Sequence, residues 1–106
     1  MPKYLFVGSF TSEGAKGLAK EGAVSRRAAT AKLAESVGGK VEAHYYAFGS
    51  NDFYVIADLP DNATAAAVSV AAAQSGAVTG KTIVLVTPEE MDAAVKKPVH
   101  YRPPGA

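Results

Sequence analysis

The residues best suited to chemistry lie in one stretch, residues 40–60, with the sequence KVEAHYYAFGSNDFYVIADLP. It holds His44 among tyrosines and carboxylates. Histidine titrates near neutral pH, and a nearby carboxylate can orient it for proton transfer, so His44, Tyr46 and Asp58 are the candidate catalytic residues. A single histidine on a half-buried strand is nevertheless more often a hydrogen-bonded structural residue than a catalyst. The stretch therefore predicts a polar site without fixing a reaction.

Other kinds of chemistry have weaker support. The chain has no cysteine, which excludes disulfides and thiolate catalysis. A catalytic zinc site usually has three protein ligands, whereas the two histidines, His44 and His100, are far apart in sequence, so we expect no metal and no cofactor. Basic residues at positions 16–27 could hold a phosphate near a helix break. Ion pairing with the acids of the same stretch on a solvated face is the more frequent arrangement.

Residues 40–60 have the pattern of two β-strands joined by a tight connection. Runs rich in Val, Ile, Tyr and Phe alternate in polarity on both sides of Gly49-Ser50-Asn51, which indicates a hairpin. A three-residue loop, 49–51, places the apolar side chains of the two strands on the same face. A two-residue turn, 50–51, would instead place the polar side chains of one strand beside the apolar side chains of the other. We predict the longer loop, because a slip of one residue would turn each apolar set to the wrong face.

The longer loop divides the hairpin into two faces. It pairs Tyr46 with Tyr54 and His44 with Ile56. The face toward the helices would carry Val41, Ala43, Tyr45, Phe53 and Val55. The opposite face would carry Glu42, His44, Tyr46, Tyr54 and Asp58. Its two carboxylates would repel each other unless a lysine, Lys3 or Lys40, pairs with one of them.

The remaining pattern predicts two more strands, three helices and a tail. In order, they are a strand over 3–10, a helix from near Glu13 to Gly38-Gly39, a helix from Asp61 or Asn62 to Gly76, a strand over 81–87, a helix from Pro88 to about Val95 and an extended proline-rich tail over 97–106. The clearest local signal is Thr87-Pro88-Glu89-Glu90, a capping box with proline at the first helical position. Residues 1–96 form one domain, which the tail follows.

The first helix should be interrupted. Its glycines each weaken it by up to about 1 kcal/mol relative to alanine. On an unbroken helical wheel, the apolar stripe that contains Leu18 and Leu33 would also include Arg26. We therefore predict a break between Gly22 and Ser25.

The order of elements predicts an α+β fold, a ferredoxin-like βαββαβ antiparallel sheet with helices on one face and a short C-terminal helix. Strands that are apolar on both sides need a cover on the face that the helices leave bare. A second copy supplies that cover most simply, so we expect a homodimer or higher oligomer with a cavity between the sheets. The predicted residues of this cavity, for a small apolar or aromatic ligand, are Phe6, His44, Tyr46, Tyr54 and Asp58.

The charge and hydropathy argue against large charged partners. A formal net charge of +1 gives no field that would attract nucleic acid or an anionic membrane as the main partner. No apolar run approaches the roughly 20 residues that cross a bilayer. The strand pattern begins directly after the first residues, so a cytoplasmic location is expected.

Five segments of the chain resemble one known family. They are PKYLFVGSFTSEGAKGLAKEG at the start, RRAA at 26–29, GGKVEAHYYAFGSND, DLPDNATAAA and VTPEEM. Together they are similar to the GYD domain proteins, of the dimeric α/β-barrel group, over nearly all of residues 2–94. The resemblance implies a ferredoxin-like fold and dimerisation through the sheet. The family takes its name from a Gly-Tyr-Asp element, in which Gly49 and Asp52 are kept here and Asn51 stands at the tyrosine position.

The resemblance implies no activity. The wider group includes cofactor-free monooxygenases, haem-degrading enzymes, small isomerases and amino-acid-sensing modules, which are analogies of fold. Three hypotheses follow. The leading one is a homo-oligomeric small-molecule-binding protein. The second is a cofactor-independent oxygenase or isomerase that uses His44 as acid/base, and the third is a structural or regulatory assembly module whose tail docks on a neighbouring subunit.

Overall fold

A computed structural model describes residues 1–106. Its elements are β1 (Lys3–Phe10), α1 (Ser12–Glu21), α2 (Ala23–Ser36), β2 (Lys40–Tyr46), β3 (Phe53–Asp58), α3 (Asn62–Gln74), β4 (Val78–Leu85) and α4 (Pro88–Val95). The strands form one open antiparallel sheet in the order β2-β3-β1-β4. The fold is α+β and consistent with the predicted ferredoxin-like arrangement. No helix is both long enough and apolar enough to span a membrane.

The ends of the first two helices follow the local sequence. The Thr11 side chain accepts a hydrogen bond from the N–H of Gly14 at 3.2 Å and so caps the start of α1. This helix ends at Gly22, whose φ of 95° favours glycine. Because α2 begins at the next residue, the predicted break is confirmed.

The later helices also start at their predicted caps. The hydroxyl and the backbone N–H of Thr64 donate to the Asp61 carboxylate at 2.7 and 2.8 Å, which holds the pKa of Asp61 below its usual value. At α4, the N–H of Glu90 donates to Thr87 Oγ1, and the N–H of Thr87 donates to the Glu90 carboxylate, both at 3.0 Å. The predicted capping box is confirmed.

The last strand begins and ends earlier than the predicted range of 81–87. It spans Val78–Leu85 and pairs with the whole of β1, with Thr79 opposite Ser9. Gly80 interrupts the strand signal between Val78-Thr79 and Lys81, and the pairing depends on a strand that is distant in sequence. The boundary is therefore set by β1 and not by local preference.

The helices cover one face of the sheet, and the core beneath them is small. Nine of 106 residues are buried, so most apolar side chains still contact solvent or empty space. The main cluster, at one end of the sheet, contains Tyr4, Ala57, Leu59 and Ala65. The Tyr4 hydroxyl donates to the side-chain oxygen of Asn62 at 2.6 Å, which ties β1 to the start of α3.

The predicted register of the hairpin is wrong. Tyr46 pairs with Phe53 and His44 with Val55, and the connection closes where the N–H of Ala47 donates to the carbonyl of Asp52 at 2.8 Å. The pairing shifts between Val41 and Ala43, which leaves Glu42 as the extra residue of a β-bulge. A bulge reverses the alternation of side chains along a strand. His44 and Tyr46 consequently face the helices, as Val41 does.

The C-terminal segment, residues 88–106, projects from the rest of the chain. Its side chains are exposed, including those of Met91, Val95, Val99 and Tyr101. The radius of gyration is 16.8 Å, whereas a compact chain of this length has about 13 Å. Residues 97–106 contain no helix or strand, as expected for the proline-rich tail.

Gly14→Ala is expected to destabilise the protein, although alanine is the better helix former. A Cβ at this position would lie 1.9 Å from the carbonyl oxygen of Ala77, and that oxygen already accepts a hydrogen bond from the N–H of Thr11 at 3.0 Å. Overpacking of this kind typically costs about 1–3 kcal/mol. The free energy of unfolding in urea measures the change.

Gly17→Ala is the matched control in the same helix. Nothing lies within 4 Å of a Cβ at this position, so the substitution should stabilise the protein by up to about 1 kcal/mol. Equal effects of the two substitutions would contradict the close contact between α1 and the connection from α3 to β4.

Candidate functional site

A cavity of about 400 Å³ lies between the sheet and the two helices that cover it. Its floor is formed by the two middle strands, through Phe6, Phe53 and Val55. One wall is α2, which contributes Leu33, and the other is α3, which contributes Val68. The gap exists because α2 lies over the edge strand β2 and α3 over the opposite edge strand β4. The volume falls in the range of about 300–1,000 Å³ that is usual for small-molecule pockets.

Two facing glycines shape the floor beside β4. Gly8 and Gly80 pair across β1 and β4. A Cβ at Gly8 would lie 2.7 Å from the ring atom Cζ of Phe53, so the aromatic ring occupies the space that a side chain would need. The Phe53 ring also packs against Phe10, with ring centroids 5.4 Å apart. The aromatic part of the floor therefore depends on the absence of a side chain at position 8.

The polar side of the cavity centres on His44. Its ring lies 5.0 Å from the ring of Tyr46, and its Nδ1 is buried without a hydrogen-bond partner. Burial lowers the pKa of His44, and the positive charges of Arg27 and Arg26 lower it further. The imidazole is consequently neutral at physiological pH, and its buried Nδ1 lacks a hydrogen bond.

Tyr46 contributes a neutral phenol to the same side. Burial is the main cause that raises its pKa, so the hydroxyl keeps its proton at neutral pH. The hydroxyl donates weakly, at 3.4 Å, to the carbonyl of Ala23 at the start of α2. This contact places the end of β2 against the first turn of the helix.

The inner face of α2 adds an arginine to the lining. Arg26 and Thr30 are one turn apart, and both line the cavity together with Leu33 and Ala34. The Arg26 guanidinium lies 3.8 Å from the carboxylate of Glu21, a long ion pair between exposed groups. No aspartate or glutamate lines the cavity.

The structure does not bring the five predicted ligand-binding residues together. Phe6, His44 and Tyr46 line the cavity under the helices. Tyr54 and Asp58 lie on the opposite face of the sheet, because they alternate with Val55 and Ala57 along β3. The expected position of the cavity, between the sheets of two copies, also differs from that of the cavity seen here. That any of these residues contacts a ligand stays a prediction.

The two carboxylates of the hairpin are held by a lysine. Lys3 Nζ donates to Asp58 at 2.9 Å and to Glu42 at 3.2 Å. These hydrogen bonds, the one to Asp58 first, raise the pKa of Lys3. Asp58 therefore has a structural partner on the open face and does not orient His44, so the candidate catalytic residues are not assembled.

The segment from Gly49 to Asp52, which corresponds to the Gly-Tyr-Asp element of the family, lies in the hairpin connection. The N–H of Asp52 donates to the carbonyl of Gly8 at 2.7 Å, and its carboxylate accepts from the N–H of Phe10 at 2.9 Å. Asp52 thus fixes the hairpin connection to β1. The side chain of Asn51 lies 3.4 Å from the Tyr54 hydroxyl and is not part of the cavity lining.

Sequence reasoning missed the contribution of α2 to the cavity. A signal was present, because the helical wheel placed Arg26 on the apolar stripe with Leu33. The break at Gly22 is real, and α2 still turns Arg26 and Leu33 to the same inner face that lines the cavity. No group of three or more His, Cys, Asp or Glu side chains is placed to hold a metal ion.

His44 should make stability depend on pH. Its pKa is lowered in the fold from 6.5, so the unfolded chain binds the proton first as the pH falls. The stability of the folded state that depends on neutral His44 is therefore fully present above about pH 6.5, and it is lost as the pH falls toward the folded-state pKa. An NMR titration of the His44 ring should give a pKa below 6.5. In the His44→Asn variant, the free energy of unfolding should fall less steeply as the pH is lowered through this window. A measured His44 pKa at or above 6.5 would contradict the buried, positive surroundings of the ring.

Comparison with known proteins agrees with the resemblance seen in the sequence. Neither a search of curated proteins nor a search of solved structures returns a significant match. The family model of the GYD domain matches residues 4–95, which is most of the 106-residue chain. The chain therefore belongs to the GYD domain family.

Proposed function

We propose that this GYD domain protein is a homo-oligomeric binding protein that holds a small apolar or aromatic ligand between its sheet and helices α2 and α3. One observation carries the proposal. A cavity of about 400 Å³ is lined mainly by hydrophobic side chains, and its few polar lining residues include His44, whose Nδ1 is buried without a hydrogen-bond partner. Apolar walls with a few placed polar groups are the usual composition of a small-molecule site.

The apolar part of a ligand would restore contacts that the walls lack. Side chains that border a void lose dispersion contacts on that side. Each Å² of apolar surface removed from water contributes about 25 cal/mol. The rings of Phe10, Phe53 and Tyr46 already form a cluster, with centroid distances from Phe10 of 5.4 and 6.4 Å. An aromatic ligand would extend this cluster.

The polar part of a ligand would satisfy His44. A buried donor or acceptor without a partner costs about 1–3 kcal/mol. Because Nδ1 is covered in the structure, the His44 ring would have to shift to expose it, and a hydrogen-bonding group on the ligand would then remove this cost and orient the ligand in the cavity. The combination gives the site both affinity and a fixed direction of binding.

A second copy is the proposed cover of the open face of the sheet. This face carries apolar side chains of neighbouring strands, among them Leu5, Ile56 and Ile83, and Ile83 is 37% exposed. Exposed apolar patches on a sheet are typical of protein interfaces, and identical faces match across a twofold axis. The projecting segment 88–106 offers further apolar surface to a neighbour. An assembly role for this segment is the third hypothesis.

The enzymatic alternative depends on His44 alone. A neutral imidazole beside a cavity is competent as a general base. The orienting carboxylate that the alternative assumed, Asp58, lies on the other face and binds Lys3. Ligand binding needs no such partner and is the better supported function.

Ala72→Phe should weaken the binding of the neutral fluorescent probe N-phenyl-1-naphthylamine by about tenfold or more, which corresponds to 1.4 kcal/mol or more. Ala72 lines the cavity, so a phenyl ring at this position occupies the space of the ligand. Fluorescence titration of the purified protein measures the affinity. Native mass spectrometry of the freshly purified protein identifies any ligand that is retained, together with the stoichiometry.

Ala71→Phe is the matched control for the cavity. Ala71 is the preceding residue of α3, is exposed and does not line the cavity, so the same ring there should leave the affinity unchanged. Equal affinities of the two variants, or no saturable binding by the original chain, would contradict the proposal.

Ile83→Lys should shift the protein from dimer or higher oligomer to monomer. A charge at this position would be buried without a partner in an interface formed by the open face. Sedimentation velocity at several protein concentrations measures the mass. Val24→Lys places the same charge on α2, at a residue 70% exposed, and should leave the mass unchanged. An original chain that is monomeric at all concentrations would refute the oligomer.

A further inference from the structure

The charge of the cavity lining is one-sided. Arg26 and Lys81 line the cavity, and no aspartate or glutamate does. The nearest acid to Arg26 is Glu21, whose carboxylate oxygen lies 3.8 Å from Nη1 with both side chains substantially exposed. Such exposed pairs are weak. The guanidinium has five N–H donors, so most of its hydrogen-bonding capacity is left for a second anion.

Polar side chains surround this positive charge. Thr30 lies one turn after Arg26 on the same inner face of α2, and Tyr46 reaches the start of that helix from β2. His44 lies beside Tyr46, and its Nδ1 has no partner. These groups come from two elements and converge on the wall between α2 and β2. They form the polar end of a cavity whose floor, at Phe6, Phe53 and Val55, is apolar.

We infer that the ligand is an amphipathic monoanion, a carboxylic acid with an apolar body, whose carboxylate binds Arg26 and whose body lies over the aromatic floor. The inference rests on the proposed function and specifies its ligand class. A planar guanidinium matches a carboxylate in a bidentate geometry. The Thr30 hydroxyl donates to the carbonyl of Arg26 at 2.9 Å and the Tyr46 hydroxyl to that of Ala23 at 3.4 Å, so the guanidinium is the main donor to the carboxylate. Arg26 is the one positive side chain at the polar end of the cavity, because Lys81 lies on β4 at the opposite edge of the sheet, and this suits a single negative charge.

The nearby titratable groups agree with this ligand. His44 is kept neutral by burial and by Arg27 and Arg26, so it adds a hydrogen-bonding group without a charge of its own. Burial raises the pKa of Tyr46 further above neutral, so the phenol adds no negative charge beside an anion. The carboxylates of the hairpin, Glu42 and Asp58, are bound to Lys3 on the other face and do not repel an anion in the cavity.

A pair of isosteric probes tests the charge of the ligand. The anion 1-naphthylacetate and the neutral 1-naphthylacetamide have the same apolar body. Isothermal titration calorimetry of the full chain should show that the anion binds about tenfold more tightly or better, as expected for a charge-assisted hydrogen bond. Raising the salt concentration should weaken the binding of the anion and leave that of the amide unchanged.

Arg26→Gln tests the residue. It should weaken the binding of 1-naphthylacetate by about tenfold and leave 1-naphthylacetamide within about twofold, because only the anion uses the guanidinium. Lys32→Gln removes the same charge from the same helix, at an exposed residue outside the lining, and should change neither affinity. An unchanged circular dichroism spectrum shows that each variant is folded. The salt dependence of 1-naphthylacetate binding to the original chain tests the role of charge without any variant.

The outcomes separate the ligand class from the binding function. If the acid and the amide bind equally and without dependence on salt, the ligand class is wrong while the binding function stands. If Arg26→Gln and Lys32→Gln weaken the acid equally, Arg26 is not its partner and the inference is overturned. If neither naphthyl probe nor N-phenyl-1-naphthylamine binds, the inference and the proposed function fail together.

Discussion

Between Val41 and Ala43 the pairing of β2 with β3 shifts by one residue, and the side chains that reach the cavity depend on this shift. Without it, strict alternation would turn His44 and Tyr46 away from the helices. The extra residue, Glu42, sends its carboxylate to Lys3 at 3.2 Å, and the same ammonium binds Asp58 at 2.9 Å. One lysine on β1 thus holds both acids on the open face while the aromatic and imidazole rings of β2 turn inward.

The separation of charge across the sheet follows from this arrangement. The open face contains the acids together with their lysine, and the cavity on the other face contains Arg26 and no acid. A histidine in such surroundings stays neutral, because burial and positive neighbours both oppose its protonation. A sheet only one layer thick therefore presents two chemically different surfaces.

The parts of the fold that could be predicted are those that short segments determine. The capping box at Thr87, the cap at Asp61 and the break at Gly22 each depend on a few neighbouring residues. Lys3 could be named from the sequence as a partner of the hairpin carboxylates, but the hairpin register could not be predicted, because period-two alternation gives no signal for the bulge at Glu42. The wrong register then divided the predicted site between two faces. Phe6, His44 and Tyr46 line one cavity. The residues that face them across this cavity lie on α2 and α3 and were not among the predicted site residues.

Helix α2 is bounded by glycines with positive φ, at Gly22 before it and Gly38 after it, and within the sheet it packs mainly on the edge strand β2. A molecule lodged between this helix and the middle strands would contact both and would act as part of the hydrophobic core. Occupancy and folding are then thermodynamically linked, since a ligand that binds only the native state stabilises it by RT ln(1 + L/Kd), where L is the free ligand concentration, and so raises the melting temperature. Thermal melting in the presence of candidate metabolites can accordingly rank them without an assay for any reaction.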